Sequence, residues 1–302
     1  MHPVTPTTLP GFMWRFSSPS RPTTRGPERS RAVADVVRET EQVVADGMSE
    51  VVLLGQTVNS YNDGTHDFAD LLRAVGAVRG VRRLRFTSPH PNDFSERVIR
   101  AMGEVPSVCE HVHLPMQSGS TRTLKRMLRR YSRDGYMECV ARLRDAIPGL
   151  ALTTDVIVGF PGETDADFDE TLSAVREVGF EDAFTFKFSP RDGTPATRFP
   201  ESETVSDGVA AERLARLIDT VRGGARARNM MLLGTRHEVL VEKGARRGQE
   251  LLQARTRDFK TVLVSGDDAM IGKYLTVELT GTTGSTFTGA VVHERQPLPM
   301  AV

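Results

Sequence analysis

Six basic residues fall within TRTLKRMLRRYSR, residues 121–133, with no acid among them: Arg122, Lys125, Arg126, Arg129, Arg130 and Arg133. Spread around a helix, they suit contact with a polyanion, because Lys and Arg on phosphates supply the sequence-independent part of nucleic-acid affinity. A solvated helix face is the ordinary alternative, and the absence of acids tips the balance toward nucleic acid. A second basic set, Lys243, Arg246, Arg247, Arg255, Arg257 and Lys260, lies among short β runs of the kind that build RNA-binding barrels. Acids at 242, 250, 258, 267 and 268 dilute it.

Other polar residues gather at the ends of strand-like runs. LLGQTVNSY offers Gly55, Gln56 and Asn59, whose amides can read an amino acid or a base edge and can equally cap helices. TTDVIVGFPGET carries Asp155 within a strand, Gly159 at its end and Glu163 beyond. Glycine lets backbone amides approach a ligand and a helix start favours anions, while the same Pro and Gly also suit a plain turn. His90, between prolines in SPHPNDF, has no second metal-type ligand at a fitting spacing. The two cysteines, Cys109 and Cys139, form no CxxC pair and read as buried thiols rather than as a disulfide or a cysteine-only metal site. GxSxG, Walker and HExxH signatures are missing, so hydrolase chemistry has no foothold.

The elements that must position these residues follow from periodicity. Valines at helical spacing in SRAVADVVRETEQVVADG predict a helix with Ser30 as N-cap and Gly47 as stop. Strands are expected at EVVLLG, RRLRFTS, HVHLP, LALTTDVIVGF and DAFTFKFS, separated by helices. One of these is read as running from SGSTRTLKRMLRRY through GYMECVARLRDAI. Such alternation calls for a parallel α/β sheet, doubly wound or closed as a full or partial barrel, with function at the C-terminal strand ends. A charged connecting helix is expected over 201–233 and a small β-barrel after it. Acidic and basic residues balance at 39 each, so any basic patch is local. No run approaches the roughly 20 apolar residues of a membrane span. MHPVTPTTLP lacks the parts of a secretory signal, and the cytoplasm is the expected location.

Taken together, RGPERSR, VVLLGQTVNSY, RFTSPHPNDF, HLPMQSGSTRTLKRM, TTDVIVGFPGETDADF and FTFKFSPRDGTPA resemble the radical S-adenosylmethionine methylthiotransferases, in the branch that modifies tRNA adenosines. The C-terminal β segment resembles their TRAM domain, an RNA-binding barrel. The resemblance implies a partial radical-SAM (βα) barrel over 27–200, a connector over 201–233 and a TRAM-like barrel over 234–296, with 1–26 as an irregular remnant of the cluster-binding loop region. It implies addition of a methylthio group to N6-isopentenyl(dimethylallyl)adenosine beside the anticodon, with S-adenosylmethionine and 4Fe-4S clusters as cofactors and tRNA as partner. The threonylcarbamoyladenosine branch stays open. Carried over by motif, Gly55, Gln56, Asn59, His113, Gln117, Ile157, Gly159 and Glu163 would line the cosubstrate cleft. The RNA contacts would come from the 121–133 cations with Lys243, Arg255 and Arg257.

The sequence departs from this family at one place. Relatives carry a pattern like GCNxxCxxCxVPxTRG, and aligning on Thr24-Arg25-Gly26 sets Phe12, Phe16 and Pro19 on the three cysteine positions. Thiolates bind such clusters, and these residues have none. The stretch before them also lacks the apolar strand expected to open the barrel, which predicts an uncovered sheet edge and poor solubility. The expectation is a shortened or degraded relative, from a gene-start error or a shifted frame, without radical chemistry of its own. A cluster-free RNA-binding protein is the alternative.

Overall fold

The computed structural model describes residues 12–15, 30–55, 57–190, 195–244 and 251–292, which divide into two compact units between Ala225 and Arg226. In the first unit strands and helices alternate: β1 (Phe12–Arg15), α1 (Val33–Ala45), β2 (Glu50–Leu54), α2 (Phe68–Gly76), β3 (Arg83–Phe86) and α3 (Glu96–Glu104). They continue as β4 (His111–His113), α4 (Thr121–Arg126), α5 (Arg133–Ala146), β5 (Ala151–Val158), α6 (Asp165–Val178), β6 (Asp182–Lys187) and α7 (Asp207–Met231), of which the residues from Arg226 on fall in the second unit. The strands form two parallel three-stranded sheets, β1-β2-β3 and β4-β5-β6, and Leu84 of β3 makes a parallel bridge to Val108, ahead of β4. Every strand-to-strand connection carries a helix, the arrangement parallel pairing requires. The helices bury valine and leucine faces, such as Val36 and Val43 on α1 and Leu71, Leu72 and Val75 on α2, against strand residues including Val51, Leu53 and Leu84.

Three local expectations are corrected. Four residues upstream, Phe-Met-Trp-Arg, do form a strand: β1 pairs in parallel with Val51–Leu54, so that edge of β2 is covered and Phe12 lies in a strand rather than a loop. Gly11, Phe16 and Pro19 lie outside the described residues. Ser30 does not cap α1; Ala32 is the N-cap, and the Asp63 carboxylate accepts from the Val33 amide at 3.0 Å in its place. The single long helix is two, α4 and α5. Leu128 takes a left-handed φ of 57° between them, and Ser132 caps α5 by accepting from the Gly135 amide at 3.1 Å. Gly47, with φ 93°, follows α1 as expected.

The second unit is a closed five-stranded barrel of β7 (Arg236–Gly244), β8 (Leu251–Thr256), β9 (Thr261–Ser265), β10 (Tyr274–Thr282) and β11 (Thr286–Val291), in the order β10-β11-β9-β8-β7. Alternate residues point inward: Val239, Val241, Leu252, Ala254, Val262, Val264, Val277, Leu279 and Phe287 make its core. Closure removes free strand edges. Among the described residues, no helix is long and apolar enough to cross a membrane.

Candidate functional site

The C-terminal strand ends of the first unit enclose a cavity of about 200 Å³ lined by Ser88, Pro89, His90, His113, Gln117, Arg129, Tyr131 and Asp155 among others. A second cavity of about 340 Å³ shares Thr57, His90 and Arg129 with it and adds Asn92, Asp93, Leu128 and Arg130.

The inner cavity is built from β4 and β5. Period-2 alternation turns Thr153, Asp155 and Ile157 to one face of β5 and buries Thr154, Val156 and Val158 on the other. His113 Nδ1 lies 3.0 Å from Thr153 Oγ1, and its Nε2 lies 3.4 Å from Asp155 Oδ1. Gln117 is pinned beside them: its amide donates to the Asp155 carbonyl at 2.8 Å and its carbonyl accepts from the Ile157 amide at 2.9 Å. Its φ of 65° is a left-handed conformation that non-glycine residues adopt at a cost. The residue is 7% exposed and lines the cavity, yet among the described residues its side-chain amide has no hydrogen-bond partner. Close approach behind it needs Gly119, where a Cβ would come within 2.6 Å of the Thr171 Cα.

Tyr131 closes one wall, its hydroxyl donating to the carbonyls of Pro115 and Met116 at 3.2 Å. Burial pushes this phenol up to about 12, so it stays protonated. Burial also pushes His90 below its ordinary value; Arg129 and Arg130 act in the same sense and Asp93 opposes them. The neutral ring accepts from the Asn92 amide at 3.3 Å through Nδ1.

The structure separates the cations of 121–133 into two classes. Arg122 is bound to Asp167 at 2.6 Å, Arg126 to Glu203 with its guanidinium 4.3 Å from the Phe199 ring centre, and Arg133 to Glu177 at 3.1 Å. Among the described residues Lys125, Arg129 and Arg130 are exposed and pair with no acid. In the barrel Arg255 is held by Glu242 at 2.7 Å and covers Phe259, and Lys260 lies 3.0 Å from Asn229 Oδ1 and 3.8 Å from Asp258. Arg246 and Arg247 lie outside the described residues, while Lys243 and Arg257 are on β7 and the β8–β9 turn.

Several residues expected to face a ligand are engaged elsewhere. Both ends of the Asn59 amide bind the His90 backbone, at 2.9 and 2.8 Å, which holds the short 3-10 turn Val58–Ser60 after β2 to the loop after β3. Glu163 is buried and accepts from the Gly159 amide at 3.0 Å and from Arg213 at 2.8 Å. Burial pushes its carboxyl up, while the Gly159 amide and Arg213 oppose that rise. Gly159 carries φ 74°, and a Cβ there would meet Ala210 at 2.8 Å, so it serves packing. Gly55 packs beside Val58, and Gln56 lies outside the described residues. His113, Gln117 and Ile157 remain on the cavity side. Tyr131 and Thr153 join them unforeseen; the alternation in TTDVIV marks the Thr153 face.

The Radical SAM superfamily model matches residues 13–175. The chain belongs to the radical SAM superfamily. This radical SAM chain is 45% identical over 276 residues to the tRNA-2-methylthio-N(6)-dimethylallyladenosine synthase of Alkaliphilus oremlandii, covering 90% of this chain and 58% of that protein. It is 47% identical to the synthase of the same name from Acidothermus cellulolyticus, covering 86% of this chain and 53% of the relative. The radical SAM chain thus spans somewhat more than half the length of these relatives. Among solved structures it resembles Escherichia coli coproporphyrinogen III oxidase, with a TM-score of 0.50 and 13% identity over 84% of this chain and 63% of that one, a likeness of fold.

The superfamily implies S-adenosylmethionine and a 4Fe-4S cluster. The donor set of this chain does not fit the cluster, which takes three or four thiolates. Its two cysteines are 3% and 1% exposed, and burial pushes the Cys139 thiol up to about 11, so it stays protonated. Among the described residues no group of three His, Cys, Asp or Glu side chains is placed to hold a metal ion.

Proposed function

We propose that this chain is an RNA-binding member of the tRNA methylthiotransferase branch, acting on or holding an N6-dimethylallyladenosine beside the anticodon, and that the chain alone does not carry out the radical step. Residues 27–200 then work as the radical-SAM-like barrel, 201–233 as connector and 234–296 as a TRAM-like RNA-binding barrel. The cosubstrate contacts fall to Gly55, His113, Gln117 and Ile157, tRNA is the partner, and the cytoplasm is the location.

The relatives' names support the substrate. The observation that carries the reading is the unpaired pair Arg129 and Arg130 at the lip of the strand-end cavities, where a phosphate backbone would pass if a base entered. Titrating tRNA at two salt concentrations tests it: affinity should fall steeply with added salt. Undetectable or salt-independent binding would contradict the reading. The absence of radical chemistry is tested by anaerobic iron and sulfide reconstitution, with no 4Fe-4S absorption and no cosubstrate cleavage expected; both appearing would overturn it.

A further inference from the structure

Two large apolar side chains stand exposed on one strand of the first unit. Phe184 is 62% and Phe186 50% exposed, on β6. Soluble proteins leave such groups adjacent and open mainly where something docks. Their direction is fixed by register. In the parallel β5–β6 ladder Phe184 lies opposite Asp155 and Phe186 opposite Ile157. Paired residues share a face, so both rings stand on the side of the sheet that carries the cavity-lining Asp155. The Phe184 ring is 5.8 Å from the His113 ring, edge to face.

This face therefore carries two kinds of surface side by side. One is polar and pre-positioned: the unpartnered Gln117 amide, the Asp155 carboxylate and the His113 ring. The other is apolar: Phe184, Phe186 and the partly exposed Ile157. A plain adenine needs the first, through its ring nitrogens, and has no use for the second beyond stacking. A purine that carries a short branched hydrocarbon matches both, with hydrogen bonds to the ring edge and apolar contact for the substituent.

We infer that Phe184 and Phe186 are the specificity determinants that let this chain distinguish an N6-alkylated adenosine in RNA from an unmodified one, with the Asp155 carboxylate accepting from the purine's remaining N6–H. The inference rests on the RNA-binding reading above and names which part of the substrate this strand reads. Each buried methylene changes discrimination by tenfold or more in a closed apolar pocket, and by less on an open face. A five-carbon substituent on a half-open face therefore gives a preference of about tenfold.

The test is a fluorescence-anisotropy titration of the full chain with two synthetic anticodon stem-loops, identical except for adenosine or N6-dimethylallyladenosine beside the anticodon. It requires no cluster and no turnover. The wild-type chain should bind the alkylated RNA about tenfold more tightly. The double variant F184S/F186S should bind both RNAs alike, at the affinity of wild type for the unmodified one, with an unchanged circular dichroism spectrum since both sites are exposed. F184L/F186L, which keeps apolar surface, should restore the preference. Equal wild-type affinity for the two RNAs, or a preference that survives F184S/F186S, overturns the inference and leaves the RNA-binding reading standing. Binding of neither RNA overturns both.

Discussion

Two regions look alike as strings of basic residues and differ once folded. In the 121–133 segment the cations alternate between engaged and free: Arg122, Arg126 and Arg133 hold Asp167, Glu203 and Glu177, while Lys125, Arg129 and Arg130 face solvent. In the barrel Arg255 and Lys260 both have acidic partners inside the same unit. A cation engaged with an acid contributes to the fold, and one left unpaired beside a cavity is available to an outside anion. Density of positive charge along the sequence does not separate these uses, because the acids that hold the arginines lie 13 to 77 residues away from them.

The sharpest way to break this division is to remove a buried cation that holds two acids. Arg213, 5% exposed, binds Glu163 at 2.8 Å and Asp165 at 2.7 Å. Arg213→Ala leaves Glu163 buried without its partner and should lower stability by about 3 kcal/mol or more, read as a fall in the urea midpoint. Next, R129Q/R130Q should leave that midpoint unchanged, weaken tRNA binding about tenfold at low salt and reduce the salt slope by about 2. If the midpoint falls with the affinity, the division fails.

Arg255→Gln should do the reverse of the arginine pair. It is expected to cost about 1 kcal/mol of stability, from a partly buried charged hydrogen bond, with less than a threefold change in tRNA affinity. The smallest effect concerns acid. Burial pushes the Asp167 carboxyl up, but hydrogen bonds from Arg122, Thr164 and Ser120 outweigh it and hold the group well below its ordinary value. The folded state thus binds fewer protons than the unfolded one. The contribution is complete above about pH 4, where the unfolded carboxyl titrates, and is lost as pH falls from there through the folded value. Asp167→Asn should flatten the acid limb of a stability profile, with little change in its slope between pH 5 and 7.

The alternating α/β plan and the terminal barrel were legible because burial imposes periods of 3.6 and 2 on the sequence, as in LLRAV of α2 and TTDVIV of β5. The cavity-side placement of His113 and Gln117 followed from their positions at a strand end. The hydrogen bonds of Asn59 and Glu163 could not be foreseen because their partners, the His90 backbone and Arg213, are 31 and 50 residues away. Local sequence records a polar group and not where its hydrogen bonds go. FMWR was missed as a strand because four residues show no alternation; only its pairing with Val51–Leu54 reveals it. Phe184 and Phe186 passed as ordinary strand residues, since nothing in DAFTFK marks which face of β6 meets the core.

The loop between α4 and α5 is fastened at both ends. Arg122 and Ser120 bind Asp167 before it, and after it the Arg133 amide donates to Thr121 Oγ1 at 3.0 Å while its guanidinium reaches Glu177. Such a tether limits the backbone freedom of Arg129 and Arg130 before any partner arrives. An anion meeting them restricts mainly side-chain rotamers, so the entropic penalty of association is small and encounter is not slowed by loop folding.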